Sequence, residues 1–349
     1  MYPKRFKKAF TKLVTSGLIV LLSLLLTLCE NIDRFYRPDT PEKVSVVAII
    51  DADDTVRYIS FEKSYQKEYP DEIKDSIRNL SFKIRSTEQD LFTYSSDVPI
   101  INLQNLKIPR DIQFNSGEKY FLEGDEKTFH GISSEVIVPS PPEDLTLLSI
   151  NKETIPLPHI QECPPWSPQY KTTKYAVMTL VFDLDKSRES YYSLILEANG
   201  GKGFSSTGHH FLPIEFTVRE SNGPGFLAIM KGLTGHRWDC DGSIYKFQYV
   251  PINAYFIDVN KICDNKCKIK VAIRYGDLTS AVDYIMDIRI KLLSIPKELY
   301  LFEKSIYSYN NSAKDPFAEP VYIEGNINGG NGVFAICRSA NLTFQWLGY

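Results

Sequence analysis

GEKYFLEGDEKTFHGISSEVIVP, residues 117–139, is the stretch whose reading decides the fold. Gly117 approaches Lys119, Tyr120, Phe121 and Leu122, a polar turn follows from Gly124 to Lys127, and Ile132 to Val138 alternates apolar with polar before stopping at Pro139. A Gly-x-x-Tyr entry, a hairpin and a last strand ended by proline is how the closing strands of an immunoglobulin-like sandwich read. Upstream the pattern continues. Val44 to Ile50 turns at Asp51, Ala52, Asp53 and Asp54 and returns through Val56, Tyr58, Ser60 and Glu62, which predicts a hairpin. Leu80, Phe82 and Ile84 share one strand face, with Ser81, Lys83 and Arg85 on the other. Roughly seven short strands fit between Val44 and Val138, so an immunoglobulin-like β-sandwich is expected over 44–139.

Pro139, Ser140, Pro141, Pro142 and Glu143 make the clearest break in the chain, because successive prolines continue neither a ladder nor a helix. Residues 144–349 are expected to form a larger, antiparallel β-rich domain with one short helix. A second proline-rich patch runs from Pro156 to Pro168, and Ala176–Phe182, Asp183–Lys186 and Tyr191–Leu196 read as strand, turn, strand. Ile269, Val271 and Ile273 oppose Lys270, Ala272 and Arg274, and Met286, Ile288, Ile290 and Leu292 oppose Asp287, Arg289 and Lys291. The helix is expected to be capped by Ser294 and to carry Pro296 in its first turn. Leu299, Phe302 and Ile306 follow at helical spacing, facing a sheet.

The start of the chain has a different logic. Lys4, Arg5, Lys7, Lys8 and Lys12 precede a mostly apolar run from Leu13 to Leu28, too short for the roughly 20 residues of a spanning helix but suited to an export signal. Residues 1–28 are therefore read as a signal peptide and Cys29 as a lipid-attachment cysteine, carrying a diacylglyceryl thioether and an N-acyl group. Leu28 departs from the small residue usual before that cysteine. Residues 29–43, broken by Pro38 and Pro41, read as a tether reaching about 40 Å. Removing the leader takes the formal charge from −3 to about −8, which argues against nucleic acid as a partner.

Sites of chemistry are sparse. Cys163, Cys240, Cys263, Cys267 and Cys337 lie beyond the anchor, and Cys263 with Cys267 spans a plausible turn-closing disulfide. No second ligand pair stands at metal spacing. Adjacent His209 and His210 would face opposite ways on a strand, and Ser205 and Ser206 do not sit in a nucleophile elbow. Asp51, Asp53 and Asp54, like Asp183 and Asp185, occupy turns where Asp bonds its own backbone; calcium is the sharper alternative. The Gly-rich loop from Asn199 to His210, with Lys202, Phe204, His209 and His210, is the candidate ligand loop, flanked by Trp166, Tyr170 and Trp238. No catalytic group, cofactor or metal ligand is assigned.

The C-terminal run Asp315-Pro-Phe-Ala-Glu-Pro, Val321 to Gly325, then Asn326-Ile-Asn-Gly-Gly-Asn-Gly-Val-Phe334, resembles the closing signature of the domain of unknown function 4249 family, exported lipoproteins of Bacteroidota. Cys29-Glu30, Gly117 to Tyr120, and Asp183 with Tyr191 and Tyr192 agree with it. The resemblance implies a lipid-anchored outer-membrane protein without established activity. By analogy it would be a non-enzymatic binding or accessory subunit of a TonB-dependent transporter in nutrient uptake. A surface structural or adhesion module is the competing expectation. Read physically, Gly329, Gly330 and Gly332 form a tight turn or bulge before a strand resumes at Val333.

Overall fold

Period-two alternation is what the first strands are built from. In Val44–Asp51 (β1) the residues Val44, Val46, Ala48 and Ile50 are buried while their neighbours are not. The structure, a computed structural model, describes residues 44–54, 57–63, 80–96, 102–126, 129–156, 172–185, 190–199, 212–214, 216–222, 225–238, 244–262, 264–274, 285–312, 319 and 321–347. After β1 come β2 (Tyr58–Lys63), β3 (Ser81–Arg85), β4 (Asp90–Ser95), β5 (Asn102–Lys107), β6 (Lys119–Glu126) and β7 (Phe129–Ile137). The expected hairpin forms, with Val46 opposite Phe61.

These strands make two layers, β1-β2-β5 and β4-β3-β6-β7, an arrangement of the immunoglobulin-like kind. Between them Phe61 meets Phe82 at 4.5 Å between ring centres, and Leu80, Ile84, Ile108 and Leu122 fill the rest. The Gly-x-x-Tyr step has a clear role. Gly117 takes a positive φ of 82°, and the Tyr120 hydroxyl, reaching back across the corner, accepts from Asn115 N at 2.9 Å and donates to Glu118 Oε2 at 2.9 Å. This is the tyrosine corner of such sandwiches.

Beyond the prolines lie β8 (Glu143–Pro156), β9 (Thr172–Asp183), β10 (Tyr191–Asn199), β11 (Leu212–Pro213), β12 (Thr217–Ser221), β13 (Gly225–Trp238), β14 (Ile244–Asp258), β15 (Lys266–Arg274) and β16 (Ile285–Ile295). The α-helix α1 (Lys297–Ser312) and the strand β17 (Asn331–Leu347) complete the chain. One layer is β12-β15-β9-β8 and the other contains β13-β14-β10-β16-β17, with an apolar core of Phe182, Leu194, Ile257, Ile269, Ile290 and others between them. Two expectations need correcting. Strands β9 and β10 are not a hairpin: they lie in facing layers, where Phe182 and Tyr192 meet at 5.3 Å. Ser294 does not cap the helix, because it is still paired with Arg338 inside β16; the Pro296 carbonyl accepts the first helical bond, from Tyr300 N at 3.3 Å. The helix covers a sheet as expected, burying Leu299, Tyr300 and Phe302 on the outer face with Ile195, Phe256 and Val333.

Strand β17 joins the two sandwiches. Asn331 to Cys337 pairs parallel with β1, from Ser45 to Asp51, and Arg338 to Leu347 pairs antiparallel with β16. The result is one nine-stranded sheet shared by both halves, and Lys43–Tyr349 packs as one compact unit. Phe334 and Ile336 enter the first core while Val333, Ala335 and Cys337 enter the layer under the helix. The glycine-rich run ahead of it is a turn and bulge, as its composition suggests. Asn328 exchanges backbone bonds of 2.8 and 3.1 Å with Ser133 of the opposite layer, and the Asn326 side chain brackets Phe334 with two bonds of 2.8 Å. Gly332 adopts φ +102°, and a Cβ there would stand 2.0 Å from the Val46 carbonyl oxygen.

Gly332→Ala is therefore expected to destabilise the protein by about 3 kcal/mol, read as a lower urea midpoint, since strain and a backbone clash coincide. A second expectation concerns Glu303 on the inner side of α1, 5% exposed, whose carboxyl burial pushes up from 4.5 to about 7. The folded state then holds a proton that the unfolded state releases, so stability falls as pH rises from 4.5 through 7, by up to about 3 kcal/mol. Urea midpoints measured across that window should lose this slope in Glu303→Gln.

Candidate functional site

The acidic turn Asp51–Asp54 ends β1 where the two sandwiches meet, and its carboxylates are taken by basic side chains. Lys291, 7% exposed on β16, places its ammonium 2.6 Å from Asp51 Oδ2 and 2.7 Å from Asp54 Oδ2. Arg338, on β17, binds Asp53 Oδ2 at 2.8 Å, and the same oxygen accepts from Ser339 N at 2.8 Å. Burial pushes the Lys291 ammonium pKa down, but the neighbouring Asp51 and Asp54 carboxylates more than offset it, so the net shift is upward. Arg57 sits beneath the turn, its pKa lowered by burial against the pull of Asp51, Asp53 and Asp54. Its guanidinium donates to the Ala52 carbonyl, donates to the Ile112 carbonyl at 2.7 Å and lies 5.4 Å over the Phe114 ring. The calcium alternative for this turn gives way to a three-cation clasp, and Asp183 is likewise paired with Lys266 at 2.9 Å.

The clasp holds the wall of a cleft. The loop between β5 and β6 is pinned at Ile112 by Arg57, at Ser116 by Arg338 (Nη1 to Oγ, 3.0 Å) and at Asn115 by Tyr120. Facing it is the β3–β4 turn, closed by Ser86, whose hydroxyl accepts from Glu88 N at 3.2 Å and Gln89 N at 3.1 Å. Between the two lies an open polar cleft of about 600 Å³ lined by Glu88, Gln89, Asp111, Gln113, Asn115 and Glu118 among others. Its carboxylates accept hydrogen bonds while its amides, hydroxyls and the Lys119 ammonium also donate, so it suits a polar ligand. The Ser86 hydroxyl is engaged in its own turn.

The residues singled out from sequence fare differently. Cys29, Lys202, Phe204, His209, His210 and Cys263 lie outside the described residues, as do Trp166 and Tyr170. Cys267 is a free thiol on the inward face of β15, fully buried and pushed by that burial up to about 12, while its expected partner Cys263 lies outside the described residues. Strand alternation aims it at the core and away from the turn. Lys291, Arg57 and Arg338 escaped notice because each sits on an alternating strand or turn as an outward residue would. The available signal was a turn of three carboxylates with no basic residue beside it before Arg57, which calls for distant partners.

A family model described as Domain of unknown function (DUF4249) matches residues 33–343. No curated protein matches the chain.

Lys291→Met should leave the part-buried Asp51 and Asp54 carboxylates without their ammonium partner and cost about 2 kcal/mol in denaturant unfolding. In the unsubstituted protein the raised Lys291 pKa means that the pair's contribution is complete below about pH 10.5 and is lost as pH climbs through the higher folded value. Thermal unfolding across alkaline pH checks this, with Lys291→Met lacking the step.

Proposed function

We propose, for a chain that belongs to the DUF4249 family, that it is a lipid-anchored outer-membrane protein working by contact: a non-enzymatic binding or accessory subunit serving a TonB-dependent transporter. The leader, the cysteine at position 29 and the proline-broken tether supply the anchoring half of this reading. The contact half rests on how the interior charges are used. Lys291, Arg57 and Arg338 are committed to holding the two sandwiches and the cleft wall in one rigid arrangement. The cleft then presents polar groups to solvent on a pinned wall, as a preorganised binding surface does.

Two measurements on the native outer membrane test the two halves. Mass spectrometry of the mature N-terminus is expected to find an acylated Cys29, and an unmodified residue elsewhere would refute the anchor. Mild-detergent pull-down is expected to recover a β-barrel transporter with the protein. Recovery of the protein alone, under conditions that preserve known barrel complexes, would count against the accessory role.

A further inference from the structure

Strands β1 and β17 run parallel with Ser45 opposite Asn331, so both begin at the same end of the first sandwich. The chain arriving from Cys29 enters β1 there, at Val44, against whose carbonyl Gly330 is packed. The helix α1 is directed to that end too. It leaves β16 near the clasp, and by Ser305 it lies beside Glu324, whose amide donates to Ser305 Oγ at 2.9 Å. Glu324 is level with the start of β17, since Asn326 N donates to the Gly332 carbonyl at 3.3 Å. Tyr309 lies one helical turn beyond Ser305 on the same face, and Tyr322 lies two residues before Glu324 on the segment running back.

Flanking these contacts along the chain, Tyr309, Tyr322 and Ile323 are 47%, 83% and 42% exposed. Tyr307 on the same helix is also exposed, at 41%, whereas Tyr120, Tyr191, Tyr192, Tyr255 and Tyr300 are buried. A tyrosine ring with an apolar body and a hydroxyl tip matches the boundary between acyl chains and headgroups. Two tyrosines and an isoleucine bind a bilayer weakly on their own. Attached through a tether of about 40 Å, however, they meet the surface at an effective concentration far above that of a free protein. Exposed Glu319 and Glu324 beside them disfavour an anionic surface, so zwitterionic headgroups are the better match.

We propose that Tyr309, Tyr322 and Ile323 form a foot that beds into a zwitterionic bilayer surface and so sets the orientation of the body. The proposal rests on the anchored reading of the chain. Its consequence is directional: the cleft is pinned through Arg57 to the turn at the other end of β1, so the foot faces the bilayer and the cleft faces away.

The test holds the chain from residue 29 onward on phosphatidylcholine vesicles through an N-terminal histidine tag and a nickel-chelating lipid, so that tethering does not depend on acylation. Tyr322→Trp is compared with Leu148→Trp, a control at a 58% exposed position on β8, in vesicles with and without brominated phosphatidylcholine. Quenching of the unsubstituted protein is subtracted for its native tryptophans. Emission from Tyr322→Trp should fall about twofold in brominated vesicles, and that from Leu148→Trp should hardly change. Quenching of neither, or of both alike, would overturn the foot, and so would a Tyr322→Trp signal quenched only when a barrel protein is added. Mass spectrometry of native Cys29, run in parallel, separates the two ideas. An unacylated cysteine with Tyr322→Trp still quenched sinks the anchor and leaves the bilayer contact standing.

Discussion

Hydrogen bonds between the first strand and the last hold this body together. Without Asn331–Cys337, β1 would present an unpaired edge and the first core would be open at Phe334 and Ile336. The separation along the chain is a modest obstacle, since each doubling of loop length adds about 0.6 kcal/mol, whereas burying a side chain the size of Val333, Phe334 or Ile336 contributes about 1.5–3 kcal/mol. Every side chain from Val333 to Cys337 is fully buried, as in a strand covered on both faces. The glycines ahead of it serve that pairing. A backbone that must pass within contact of Val44 and Val46 leaves no room for a Cβ at positions 330 and 332.

Electrostatics finishes what the pairing begins. Where β1 ends, three carboxylates pair with Lys291 of β16 and Arg338 of β17 while Arg57, ahead of β2, binds the turn's backbone, so charges far apart in sequence meet at one junction. Buried pairs of this kind add little net stability over apolar packing, but they fix geometry, because any other register strands a charge. The geometry fixed here is that of the 108–118 loop, and through it the position of the cleft wall.

Much of this was legible from residue order. Alternation marked β1, β3, β15 and β16, and Gly117 with Tyr120 marked the corner that identifies the first sandwich. Alternation reports which face is buried and is silent on which strand lies alongside, so it carries neither the facing-layer placement of β9 and β10 nor the β1–β17 pairing. Lys291 illustrates the same limit. Opposite Ile290 and Leu292 it reads as a solvent-facing lysine, yet the acidic turn covers it. The unbroken apolar run Val333–Cys337 was the clue to a strand covered on both sides. The cleft was not legible, because its lining comes from two turns brought together by the sandwich.

Pairing the last strand with the first gives the molecule a way of registering its own length. A chain cut short anywhere before Asn331 can form hairpins and even the tyrosine corner, but it leaves β1 with a sticky margin and the acidic turn without Arg338. Copies that lack those residues keep an open strand edge, the kind of surface on which partly folded chains associate.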